Sequence, residues 1–225
     1  MIIYLMDIFA TFVFAVSGGF RAVKHELDLL GVLVLSTATG VGGGVIRDVI
    51  LGTTPPMAFR DENYLLVCIA AGLMVFVVAP WIARRWDMVM IADALGLGLF
   101  SAIGAEKAMS MGLGPIGVMF SGAITATGGG IIRDVLVREI PDVIRTDFYA
   151  TAAIAGGAVF YVSAGCGLVH LQAFVVSVLF TIVLRFVAMK LKFSLPRVRR
   201  LPDSPSRLTR NRKKAFREKD RDAQS

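Results

Sequence analysis

The chain has 225 residues, of which 56% are hydrophobic and 18% charged, with a formal net charge of +7 and a pI near 9.8. A soluble domain carries about 25% charged residues and about 45–50% apolar ones with glycine included, so this composition excludes an ordinary soluble globular protein. It also argues against a nucleic-acid partner, because the basicity is confined to the tail: residues 192–225 hold 12 Lys/Arg against 4 Asp/Glu, which leaves residues 1–191 at −1.

A helix needs about 20 apolar residues to cross a bilayer, and seven segments read as such spans. The first, 2–22, is expected to be a retained helix rather than a cleaved signal peptide, since no basic residue precedes its apolar core and Asp7 lies within it. The second, 29–51, carries TGVGGGVIRDV at 39–49. The third, 63–83, has no charged side chain over the 21 residues Asn63 to Ala83; the fourth is 88–108. The fifth, 114–137, overlaps a charge-free run of 25 residues, Ala108 to Ile132, and carries TATGGGIIRDV at 125–135. The sixth and seventh, 148–168 and 169–190, divide the 37-residue charge-free run Phe148 to Leu184, with Gly165 and Gly167 marking the turn. Tyr64, Trp81, Trp86 and Tyr149 fall at span ends, where amphipathic rings prefer the membrane interface, and Cys68 and Cys166 are expected to serve as small buried apolar residues.

Lys and Arg favour cytoplasmic loops. The basic C-terminus therefore belongs inside and, with seven spans, the N-terminus outside. Arg21, Lys24, Arg84, Arg85, Arg138 and Arg145 then fall inside, and only Arg60 and Lys107 outside. From Pro196 onward the tail is dense in charge and is expected to be disordered. Its basic cluster of Arg207, Arg210, Arg212, Lys213 and Lys214 either binds anionic lipid, at about 1 kcal/mol per residue, or serves only to set topology.

The chain repeats itself. The two glycine motifs match at an offset of 86, which also relates Asp7 to Asp93, Phe14 to Phe100, Gly18 to Gly104, Ala22 to Ala108, Gly31 to Gly117, Pro55 to Pro141 and Asp61 to Asp147. With three spans per copy, the second copy enters the membrane in the opposite orientation, giving an inverted repeat with a pseudo-two-fold axis in the membrane plane. The expected organisation is a first three-helix repeat over 1–86, a second, inverted one over 87–168, a seventh helix over 169–191 and the basic tail over 192–225. The fold class is an all-α membrane protein.

Gly42, Gly43, Gly44 and Gly128, Gly129, Gly130 lie inside the second and fifth spans, where glycine is costly. Three in a row permit local unwinding, which exposes backbone dipoles at the broken ends. Such breaks are tolerated only against protein or a watery cavity. Close packing of small residues is the alternative use. Arg47, Asp48, Arg133 and Asp134 follow. A charge at the centre of a spanning helix costs roughly 2.5–3.5 kcal/mol, so these residues are expected to face the interior and order a polar path, or else to form ion pairs that fix helix packing. Neighbouring positions on a helix diverge, so Asp7 and Asp93 are candidate partners for the arginines from other helices. Thr39 and Thr125 can offer hydroxyls to a path or to their own helix. Neither motif has the ending of a phosphate-binding loop, and His25 and His170 lack ligand spacing. No enzyme constellation, cofactor site, structural metal site or nucleic-acid surface is expected.

The doubled GGGxxRD, the three-plus-three repeat and the extra helix resemble the prokaryotic branch of the trimeric intracellular cation channel (TRIC) family over about residues 4–190. The resemblance implies a homotrimer in which each subunit has its own pore, lined by kinked second and fifth spans. It implies passage of monovalent cations, notably potassium, held only in transit. Arg47, Arg133 and the glycine triplets would then belong to the pore or its gate. Membrane lipid is the one bound component the resemblance leaves open. Some bacterial relatives are linked to small amino-acid transport, which leaves a carrier for a solute such as glycine as the alternative.

Overall fold

Long apolar runs fold as helix in lipid because an α-helix satisfies its interior backbone N–H and C=O groups within itself. The computed structural model describes residues 1–82, 87–145 and 148–191, and every described element is helical. In chain order these are α1 (Ile2–Lys24), α2 (Leu29–Ile50), α3 (Met57–Arg60), α4 (Asn63–Ile82), α5 (Asp87–Ser110), α6 (Pro115–Leu136), α7 (Asp142–Arg145), α8 (Tyr149–Gly165) and α9 (His170–Leu191). The long helices match the segments read from hydropathy to within three residues at each end. α1, α2, α6 and α9 are long and apolar enough to cross a membrane, and 63–79 and 149–165 are shorter apolar stretches. The one-turn helices α3 and α7 carry too few residues to show a period.

The duplication is visible in the backbone. The bounds of α2 and α6 differ by 86 at both ends, as do the first residues of α4 and α8. Left-handed turns recur at the same places: Glu26 (φ 56°) answers Gly112 (φ 78°), and Gly52 (φ 71°) answers Arg138 (φ 59°). α1 packs on α2 and α4, while α5 packs on α6 and α8. The halves join where α1 meets α5 and α2 meets α6, and α9 lies on α5 and α8.

Close packing depends on small residues, as it must in lipid, where apolar burial alone does not drive helices together. A Cβ at Gly18 would sit 2.6 Å from the Leu35 carbonyl oxygen, and one at Gly104 would sit 2.6 Å from that of Ser121. These are equivalent contacts in the two copies. The largest buried apolar cluster joins α5, α6, α8 and α9 with Phe14 of α1 at its edge. Large apolar side chains such as Leu30, Val77, Ile116 and Val183 point outward, as a lipid-facing surface requires.

Tyr64 and Tyr149, in the first turns of α4 and α8, are buried, each against charged groups. One expectation needs correcting. Cys68 is buried as expected, but Cys166, at the exposed C-terminal end of α8, is not. The side chain of Trp81, residues 83–86, Asp147 and the tail lie outside the described residues.

Candidate functional site

α2 and α6 cross at their glycines. A Cβ on Gly43 would collide with the Thr125 carbonyl oxygen, and one on Gly129 with that of Thr39. The second contact is the first displaced by 86 at both residues, so the crossing lies on the pseudo-two-fold axis. Residue numbers rise on one helix as they fall on the other, so the pair is antiparallel. Both helices remain α-helical through their triplets, which corrects the expected unwinding: here the missing Cβ atoms provide close approach instead. Thr39 and Thr125 are fully buried, and each hydroxyl donates to its own helix, to the carbonyls of Leu35 and Ser121 at 2.6 Å.

One charged cluster flanks the crossing at the Arg133 end. Arg133 Nε donates to Asp134 Oδ1 at 2.8 Å, and its Nη1 donates to Asp93 Oδ1 at 2.9 Å and to Ser17 Oγ at 2.7 Å. Its Nη2 reaches Asp142 Oδ2 at 3.4 Å. The amide of Asp142, in the first turn of α7, donates to Asp134 Oδ2 at 2.9 Å. Arg21 of α1 crosses to the second repeat, reaching Asp142 at 3.0 Å, Asp134 at 3.4 Å and Glu139, which also accepts from His25. Burial, and then the Asp134 carboxylate beside it, raise the pKa of Asp142. Behind this cluster the Arg185 guanidinium of α9 stacks over the Tyr149 ring, 4.7 Å from its centroid.

The Arg47 end repeats this plan with fewer bonds. Arg47 Nε donates to Asp48 Oδ1 at 2.8 Å, Lys107 Nζ donates to the same oxygen at 2.7 Å, and the Met57 amide donates to Oδ2 at 2.9 Å. Arg47 Nη1 is buried without a hydrogen-bond partner among the described residues. Asp7, expected beside Arg47, instead accepts from the Tyr64 hydroxyl at 2.7 Å. Nearer the chain start, the Tyr4 hydroxyl donates to Asp61 at 2.6 Å and holds that carboxyl below its ordinary pKa. A small cavity opens here, lined by Asp7, Thr11, Gly40, Arg47, Tyr64 and Phe100 among others.

Both arginines do bond the aspartate beside them, against the expectation that sequence neighbours diverge. The long side chain folds back so that its Nε, not its tip, reaches the carboxylate. The structure also adds Arg21 and Lys107. These two are separated by 86, so the repeat contained the signal, although nothing local showed that each binds the opposite copy's aspartate. Arg21→Met should cost about 1.5–3 kcal/mol as charged hydrogen bonds are lost, and Lys107→Met, at a single partly exposed pair, no more than about 1 kcal/mol. Thermal unfolding in detergent checks the order; a costlier Lys107→Met would contradict it.

Fold and site together define a helical membrane protein made of two copies of one unit, with ionised groups buried on both sides of a glycine crossing. The model of a family described as "Glycine transporter" matches residues 4–80 and 90–164. The UPF0126 membrane protein of Deinococcus radiodurans is 41% identical over 204 residues, covering 89% of this chain and 94% of the relative. The UPF0126 inner membrane protein YadS of Escherichia coli is 40% identical over 199 residues, covering 87% and 96%. Among solved structures, the TRIC orthologue of Rhodobacter sphaeroides superposes with a TM-score of 0.82 at 34% identity, covering 85% of this chain and 99% of that one. A prokaryotic TRIC channel solved in 0.5 M KCl gives 0.81 at 38% identity, covering 87% and 99%. The chain belongs to this family of UPF0126 membrane proteins and prokaryotic TRIC channels.

Proposed function

We propose that the protein is a potassium-permeable channel for monovalent cations: a homotrimer of seven-span subunits, each with its own pore between α2 and α6. The repeats divide the chain as 1–86 and 87–168, followed by the seventh helix and the tail, with the N-terminus outside and the C-terminus in the cytoplasm of a bacterial inner membrane. The observation that carries this reading is the pairing of Gly42–Gly44 with Gly128–Gly130 between two buried charge clusters, in a chain 34–38% identical to solved TRIC channels. In the pore, Arg47 and Arg133 are neutralised rather than repulsive. At the Arg133 end the cations Arg21 and Arg133 meet four carboxylates, Asp93, Asp134, Glu139 and Asp142, with Arg185 behind them. At the other end Arg47 and Lys107 meet Asp48, with Asp7 nearby. A bend of α2 and α6 at the triplets, Thr39 and Thr125 along the wall, and lipid between subunits complete the reading.

Purified protein in a planar bilayer under a KCl gradient should give discrete current steps that reverse near the potassium equilibrium potential. Silence from demonstrably folded protein would defeat the channel. A carrier for a small solute such as glycine is the second reading. It is favoured by the family model's description and by the cavity at the Arg47 end facing a more fully bonded cluster at the other. Saturable glycine counterflow in proteoliposomes without unitary current would select it.

A further inference from the structure

α1 carries a line of residues along one face: Asp7, Thr11, Phe14, Ser17 and Arg21. Their spacings of three and four follow the helical period. Asp7 belongs to the Arg47 end, while Ser17 and Arg21 bond groups of the Arg133 end. At 1.5 Å per residue, Phe14 stands about 10 Å from Asp7 and about 10 Å from Arg21, midway between the two charged clusters. α5 repeats the pattern in reverse. Asp93 bonds Arg133, Lys107 bonds Asp48, and Phe100 lies between them, seven residues from each.

The two rings meet edge to face, with centroids 5.1 Å apart and planes at 85°. Because they are related by the same offset of 86, their contact lies on the pseudo-two-fold axis. Phe14 fills space that two glycines give up. A Cβ at Gly96 would collide with its ring, and one at Gly129 would come within 3.3 Å of it. Phe100 lines the cavity at Arg47. The hydroxyl protons of Thr39 and Thr125 are donated to their own helices.

We propose that the Phe14–Phe100 pair is the barrier of the permeation path, a dry aromatic contact between the two charged clusters that excludes water and ions until the rings part. This rests on the channel reading. Two rings from antiparallel copies form a constriction that either copy can relax, and an apolar constriction gates by dewetting rather than by charge.

The test compares wild type with Phe14→Asn and Phe100→Asn in planar bilayers under a KCl gradient, together with thermal unfolding of each purified protein. A barrier predicts that each variant gains basal open probability, at least tenfold, and that the two gains are similar because the rings share one contact. A purely structural role predicts less folded protein and no gain. If the asparagine variants do not fold, Phe14→Leu and Phe100→Leu keep an apolar but narrower side chain and must still raise basal current. Wild-type current with no gain in any folded variant overturns the barrier and leaves the channel standing. Silence of wild type and variants alike removes both.

Discussion

Alanine at Gly43 or Gly129 should destabilise the protein, while alanine at Gly44 or Gly130, one residue further on in each triplet, should not. At Gly43 and Gly129 the new Cβ meets a backbone carbonyl oxygen of the facing helix, and a backbone cannot rotate aside as a side chain can. Relief requires separating α2 from α6, an overpacking cost of about 1–3 kcal/mol or more. At Gly44 the nearest atom is Arg47 Nη2 at 3.7 Å, and at Gly130 it is the Tyr149 hydroxyl at 3.4 Å, both ordinary contacts. There the helix-propensity gain of about 1 kcal/mol for glycine to alanine should prevail. Thermal unfolding of the four variants in detergent would show opposite signs within each triplet. Four equal shifts would mean that the crossing is not where the structure puts it. Channel activity should follow the same division, since a wider crossing misplaces both charged ends.

The second large effect concerns the arginines, which are equivalent in sequence but not in surroundings. Arg133→Met strips the buried Asp93 of its guanidinium partner and Ser17 Oγ of the donor it accepts from, while Asp134 keeps only Arg21 at 3.4 Å and the Asp142 amide. Losing one side of a buried ion pair costs about 3–5 kcal/mol. Arg47→Met should cost less, about 1.5–3 kcal/mol. Asp48 keeps Lys107 and the Met57 amide, and an Nη1 that has no partner among the described residues is removed. The cause of the difference can be located. Ser17 supplies a hydroxyl to Arg133, but its counterpart 86 residues on is Ile103, which has none to give Arg47. Denaturation midpoints would decide; an equal cost for the two substitutions would remove the asymmetry.

Much of the architecture was readable from the chain. Hydropathy located the long helices because, in lipid, composition and length are nearly sufficient to specify a spanning helix. The offset of 86 exposed the duplication because side chains at equivalent places serve equivalent contacts. Interior placement of Arg47, Asp48, Arg133 and Asp134 followed from the cost of a charge in lipid, and all four are buried. Partner choice was less accessible. Asp93 does bond Arg133, yet Asp7 accepts from Tyr64. The short helices α3 and α7, whose amides hold Asp48 and Asp134, carry no periodic signal.

By itself the sequence determined that this is a duplicated helical membrane protein, and which glycines and charges recur in both halves. Those properties depend on composition and on spacing along the chain. Only the tertiary structure decided that the triplets stay helical and act by close approach, that Arg21 and Lys107 each cross to the other copy, and that Phe14 meets Phe100 on the axis. These are contacts between helices far apart in sequence. They are set by how closely two backbones can approach, a distance that no local period encodes.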